Sequence, residues 1–286
     1  MYWESTNTIK MIHRLWGAIL VLVILDPSSL FAQRTQDPEP FIVGVTEHIH
    51  SNVLDEDRVL NIFLPQGYTA DTAASYPVIY LLDGSLDEDI IHVGGAVQFA
   101  SFEWIKWLPP SIVVGIANVD RKRDFTFPTT ITSDKEKFPT TGGSSNFIRY
   151  VGDEVIPFVE QHYRTGPDRM LIGQSLGGLL ATEVLFKRPG LFNRYMIVSP
   201  SLWWDQMSLL KQEPEFVVNK DSAPEMVFIA VGNEGKGMVG PAKRLAATLK
   251  KKTTIRVGYA YLREFDHTNN MHRAIMEGAR WMGSTR

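Results

Sequence analysis

The chain has no cysteine. That absence excludes a disulfide framework, thiolate metal ligation, a lipid-modified cysteine and a cysteine nucleophile. Charge of one dominant sign is missing as well. There are 29 Lys and Arg against 32 Asp and Glu, a formal net charge of −3. The basic run Lys250-Lys251-Lys252 closes an expected helix, where it complements the helix dipole. No nucleic-acid partner is expected. The apolar run Leu15 to Leu25 has only eleven residues, against the ~20 that a membrane-spanning helix needs.

Lys10, His13 and Arg14 precede that run, and Asp26 to Gln33 follow it. The order is that of a secretory signal peptide, with cleavage expected after Ala32, although Leu30 is not the small residue preferred three positions before the cut. Residues 1–32 are therefore read as a signal peptide and 33–40 as a polar, proline-containing linker. The mature protein is expected to be periplasmic or secreted, without stable membrane insertion. The whole chain of 286 residues is long enough for one large α/β domain, here 41–286.

What the sequence does contain is alternation of strand and helix patterns. Phe41–His50 and Arg58–Leu64 read as a leading pair of antiparallel-type strands, closed by Pro65-Gln66-Gly67-Tyr68. Tyr76–Leu82 and Ser111–Ala117 are solid apolar runs of the kind buried in parallel sheets. Between them Ile90–Trp107 has helical spacing, and Phe147–Tyr163 is amphipathic. The strand Met170–Ile172 precedes a helix through Phe186. Strands Arg194–Val198, Met226–Val231 and Thr253–Leu262 follow, with helices around Ala242–Lys250 and from Met271. This pattern predicts a doubly wound, mostly parallel sheet with helices on both faces and ligand groups at the strands' carboxyl ends, the α/β-hydrolase plan.

Gly173-Gln174-Ser175-Leu176-Gly177 lies between a strand and a helix. A G-x-S-x-G turn there is a nucleophile elbow, whose glycines let strand and helix pass closely and leave Ser175 Oγ exposed. A serine hydroxyl is inert at neutral pH, so it needs a general base and N–H donors for the oxyanion. Of the seven histidines, only His267 and His272 follow Ser175, as the Ser–acid–His order of the fold requires. His267 lies in a loop after the last strand and is assigned as the base; His272 falls within the terminal helix. Glu234 follows the penultimate strand and is assigned as the acid that orients the histidine, with Asp205 a weaker alternative and a Ser-His dyad left open. Asp266 adjoins the base, and neighbouring side chains on an extended segment point apart. The oxyanion donors are expected to be the N–H of Leu176 and that of Gly84 or Ser85. The spacing of histidines and carboxylates fits no metal-ligand motif, and neither metal nor cofactor is expected.

With these residues placed, the chain resembles the putative esterase family of α/β-hydrolases, which includes enterochelin and other ferric-siderophore esterases, S-formylglutathione hydrolase, feruloyl esterases and mycolyltransferases. The matching pieces are Tyr80-Leu81-Leu82-Asp83-Gly84, Arg121 to Thr126, Phe147 to Tyr163, Gly173 to Gly178, Ser199-Pro200-Ser201-Leu202-Trp203-Trp204, Val231 to Glu234 and Asp266-His267. The Ser199 to Trp204 segment is most similar to the siderophore-esterase branch. The resemblance implies serine ester hydrolysis of a small-molecule ester through an acyl-enzyme, with Ser175 as nucleophile, His267 as base and Leu176 as oxyanion donor. Catecholate-binding relatives look richer in basic pocket residues; here Arg121 and Arg123 are the candidates. Trp203 and Trp204 are expected to wall an acyl or aromatic pocket, at least one of them belonging to the core. Two alternatives stay open: acyl transfer to a sugar or lipid alcohol, and a non-catalytic binding protein of the same fold.

Overall fold

Eight strands form one sheet in the order β1-β2-β4-β3-β5-β6-β7-β8. They are β1 (Gly44–Ser51), β2 (Glu56–Phe63), β3 (Tyr76–Leu82), β4 (Ile112–Ile116), β5 (Thr165–Gln174), β6 (Arg194–Val198), β7 (Met226–Gly232) and β8 (Arg256–Leu262). From β4 to β8 all neighbours are parallel, while β1 pairs with β2 and β2 with β4 antiparallel. This computed structural model describes residue 34 and residues 36–68, 73–219, 223–253 and 255–284. The expected signal peptide and its cleavage point lie outside the described residues. Residues 42–286 make up one compact unit.

The parallel strands are apolar on both faces because both faces are covered. Along β3 the side chains alternate: Val78, Tyr80 and Leu82 enter one core, Ile79 and Leu81 the other. The second core is roofed by α1 (Ile90–Ser101) and by the C-terminal helix, Met271–Gly283. The first is roofed by α2 (Arg121–Phe125), the run containing α4 (Ser144–Tyr150) and α5 (Ile156–His162), α6 (Leu176–Lys187) and α9 (Lys236–Lys252). Short pieces α3 (Thr132–Lys137), α7 (Trp204–Met207) and α8 (Glu215–Val218) belong to connections, and the C-terminal helix is α10.

Several expected boundaries move, each for a local reason. Helix α1 ends at Ser101 and not at Trp107, because the chain doubles back and the N–H groups of Trp107 and Leu108 both reach Ala100 O. The amphipathic run before the elbow contains a π turn, Val151–Val155, just ahead of Pro157. A proline cannot donate to the i−4 carbonyl and its ring crowds that turn, so the wider turn accommodates it. Strand β8 starts at Arg256, since Thr253 is used to cap α9: its N–H and hydroxyl both donate to Leu249 O. Among the described residues no helix is long and apolar enough to cross a membrane.

Candidate active site

Three parallel strands leave the sheet through a residue with positive φ: Asp83 after β3 (58°), Ser175 after β5 (59°) and Ser199 after β6 (42°). Such conformations cost non-glycine residues free energy and persist only where the surroundings impose them. All three line up at the carboxyl end of the sheet, where an open α/β sheet offers its ligand groups. Ser175 sits at the crossing of β5 and α6. A Cβ on Gly173 would come within 2.4 Å of Gly177 O, so strand and helix can cross there only without that side chain.

Ser175 Oγ lies 3.0 Å from His267 Nε2, and His267 Nδ1 lies 2.5 Å from Glu234 Oε2. The structure thus brings together the three residues that chain order selects. His267 stands in the loop before α10, its side chain 40% exposed, while the Glu234 side chain is only 3% exposed. Burial by itself would push the Glu234 carboxyl up. Hydrogen bonds from His267, Ser199 and the Gly232 N–H outweigh it and hold the group below the ordinary glutamate range, so it is anionic at neutral pH.

Residues that sequence reasoning passed over fix this arrangement. Glu234 Oε1 accepts from Ser199 Oγ (2.5 Å), Gly232 N–H (2.8 Å) and Asn270 Nδ2 (2.6 Å). The same Asn270 amide donates to Ser199 Oγ at 2.7 Å. Gln174, inside the elbow, donates to Asn270 Oδ1 and to the backbone carbonyl of His267. A Cβ at Gly232 would press on Phe265 O at 2.7 Å and Asn270 Nδ2 at 2.9 Å, so the acid's strand also closes on the histidine loop without a side chain. Asn270 is fully buried, and nothing in its spacing from the other residues announces it. Asn270→Ala is expected to lower kcat about 10–100-fold with little change in KM, the scale seen when an outer partner of a ligating histidine is removed. Steady-state kinetics alongside a thermal melt would check it.

Several of the other expected site residues already have partners within the protein. The Gly84 N–H donates to Ile116 O, extending the sheet, and is not free for an oxyanion. The Ser85 N–H is held at 3.2 Å by Glu88 Oε2, and the Glu88 N–H donates to the Ser85 backbone carbonyl, closing a tight turn ahead of α1. Leu176 opens α6, where its N–H has no acceptor within the helix. Arg121 is spent on Asp83, with Nε and Nη2 reaching the two carboxylate oxygens at 2.6 and 2.8 Å, and Nη2 also touches Gln174 O. It braces the loop after β3 against the elbow and is not offered to a ligand. Arg123 likewise pairs with Glu56 and Asp124. Trp204 is buried, its Nε1 donating to Phe127 O, so it belongs to the core; Trp203 is exposed. Asp205 accepts from Thr129 and from the N–H and hydroxyl of Thr130, which makes it a loop anchor and not an acid for His267.

The loop after β3 also carries a strained carboxyl. Burial, with Asp83 and Glu88 nearby, pushes Asp89 from 3.8 up to about 6. A carboxyl whose folded pKa is raised binds its proton more tightly when folded. Its unfavourable contribution therefore develops between about pH 4 and 6 and is complete above. Asp89→Asn is expected to stabilise the protein by about 1–2 kcal/mol at pH 8, a few degrees in Tm, and to have little effect at pH 3.5. Melts at the two pH values would show it.

A pocket of about 390 Å³ opens over Ser175 and His267, walled by Trp203, Met238, Asp266 and Thr268. Among the described residues no cluster of histidines and carboxylates is arranged to hold a metal.

A nucleophile elbow, a loop histidine and a strand-end glutamate on this sheet can be compared with known proteins. The family model described as "Putative esterase" matches residues 51–273. The chain belongs to this esterase family. It is a carboxylic-ester hydrolase with the α/β-hydrolase fold. Over 212 residues it is 31% identical to the ferri-bacillibactin esterase BesA of Bacillus subtilis, a match covering 67% of this chain and 71% of that one. Among solved structures, an IroE-like serine hydrolase from Shewanella oneidensis superposes with a TM-score of 0.74 at 29% identity, covering 84% of this chain and 80% of the other. The BES protein from Bacillus cereus gives 0.75 at 27% identity, over 88% of this chain and all of that one (100%).

Proposed function

We propose that this esterase is an exported serine hydrolase that opens siderophore-type esters through an acyl-enzyme intermediate. The observation that carries the reading is the continuous chain Ser175 Oγ, His267 Nε2, His267 Nδ1, Glu234 Oε2, at 3.0 and 2.5 Å. In this reading His267 takes the Ser175 proton as Oγ attacks the ester carbonyl. The tetrahedral oxyanion is met by the N–H groups of Leu176 and Ser85, the latter released by Glu88. Collapse breaks the C–O bond, and His267 passes its proton to the departing alkoxide. Water, deprotonated by the same imidazole, then adds to the acyl-enzyme, and the acid leaves as Ser175 regains its proton. Glu234 stays anionic throughout and stabilises the imidazolium.

Siderophore esters are favoured because the curated relatives include the ferri-bacillibactin esterase and a siderophore triacetylfusarinine C esterase of Aspergillus fumigatus, the latter 34% identical over 92 residues. Export follows from the basic, apolar and cleavage-like order of residues 10–33. A fluorophosphonate probe is expected to add once to Ser175, its phosphorus bonding to Oγ as fluoride leaves, with the modified peptide identified by mass spectrometry. A folded protein that stays unlabelled and hydrolyses no ester would sink the proposal. N-terminal sequencing of the protein from a cell-envelope fraction is expected to begin near Gln33.

A further inference from the structure

We propose, resting on the hydrolase reading above, that the site is built for esters uncharged beside the scissile bond, with a flat apolar portion lying on Trp203. The argument is the make-up of the pocket wall. Among its described lining residues there are two carboxylates, Glu234 and Asp266, and no lysine or arginine. The arginines expected to receive an anion are committed elsewhere: Arg121 is bound to Asp83, Arg123 to Glu56 and Asp124. Lys236 and Arg263 flank the lining segments but are exposed and outside the lining.

Glu234 faces His267, so the positive charge that develops on the imidazole is already matched. Asp266 has no cationic partner of that kind except His267 itself. Its Oδ1 accepts from the N–H and hydroxyl of Thr268 at 2.8 and 2.6 Å, and these bonds hold the carboxyl below the ordinary aspartate range. An anion entering the pocket therefore meets the Asp266 charge with no lysine or arginine among the described lining residues to offset it. Trp203 and Met238 supply the apolar part of the lining. Trp203 is 42% exposed, and its ring is held edge-on at 6.1 Å from that of Trp204, which is pinned by its bond to Phe127 O. A rigid, half-exposed indole beside the Met238 thioether suits an aromatic or alkyl group.

The inference separates two kinds of siderophore ester. A ferric ion held by three catecholates is a trianion, whereas one held by three hydroxamates is neutral. The neutral complex is expected to be the better substrate.

The test uses the full protein with p-nitrophenyl butyrate and p-nitrophenyl hemisuccinate, two esters of equal chain length that differ by one carboxylate, and then with a ferric tris-hydroxamate triester and a ferric tris-catecholate trilactone. The neutral member of each pair is expected to have the higher kcat/KM, by about tenfold or more. Raising the salt from about 20 mM to about 0.5 M should narrow the gap by screening. Asp266→Asn, which keeps the acceptor for Thr268 while removing the charge, is expected to lower the neutral-to-anionic ratio about 3–10-fold. Trp203→Ala should lower the ratio of naphthoyl to acetyl ester turnover by about 5–10-fold, as lost aromatic contact does elsewhere. Equal or faster turnover of the anionic esters, or a ratio unmoved by both Asp266→Asn and salt, overturns the charge preference and leaves the hydrolase reading standing. Failure to hydrolyse any of the esters, with Ser175 unlabelled, overturns both.

Discussion

Ser175→Ala and His267→Ala are each expected to cut kcat by about 10⁴–10⁶, or about 5–8 kcal/mol of transition-state stabilisation, in a protein that still folds. Ser175 contributes one oxygen to the pocket. Apart from His267, its hydrogen-bond partner among the described residues is Ser201 Oγ, at 3.4 Å. The positive φ at position 175 remains with alanine, so backbone strain is unchanged. The two residues act as a unit, one supplying the nucleophile and the other removing its proton. The double variant should therefore be no slower than either single one. His272 is a useful contrast, because it belongs to α10 and its ring lies 6.1 Å from that of His92. His272→Ala is expected to keep wild-type kinetics within about threefold, as surface changes usually do. Stopped assays with enough enzyme to detect one part in 10⁵, combined with circular dichroism, would decide the matter. A folded Ser175→Ala protein retaining a tenth of wild-type turnover would remove the serine mechanism.

The sequence makes the frame legible because each strand carries its own mark. Apolar runs closed by turn residues give the order of β3 to β8, and the order in turn limits the histidine to two positions and the acid to the exits of two strands. The elbow needs only five consecutive residues. What joins these pieces is different in kind. Ser199, Asn270 and Gln174 meet Glu234 and His267 from three separate elements, and no spacing in the chain relates them. Their roles exist only once β5, β6 and β7 are side by side.

Arg121 and Trp204 show the opposite difficulty. Composition places a cation and an indole near the site but cannot say whether each already has a partner. Asp83 and Phe127 O supply those partners, and both become visible only in three dimensions. Ser85 is intermediate: Glu88, three residues on, gives its N–H an acceptor before any substrate arrives, but the helix starts only at Ile90, so the Ser85-x-x-Glu88 pattern does not make a capping box.

Glu234→Gln separates a triad from a dyad. The glutamate now receives the Nδ1–H of His267, which leaves Nε2 without a proton and able to accept one from Ser175. A glutamine keeps an oxygen for Ser199, Gly232 and Asn270, whose three bonds fix the orientation of the carboxamide. With Oε1 so occupied, the amide NH₂ faces Nδ1. It can be satisfied only if Nδ1 is the acceptor, and the proton then sits on Nε2, pointed at Ser175 Oγ. The base is blocked in its resting tautomer, and the charge that stabilised the imidazolium is gone as well. We expect kcat to fall by about two to four orders of magnitude, as for loss of the acid in other triads. The buried network would have no new orphan group, so Tm should change little. Glu234→Ala makes the argument sharper: without the amide the imidazole chooses its own tautomer, and the alanine variant should be less impaired than the glutamine one. If instead both variants turn over within about threefold of wild type, Ser175 and His267 work as a dyad, and Glu234 serves only to tie the exit of β7 to the histidine loop.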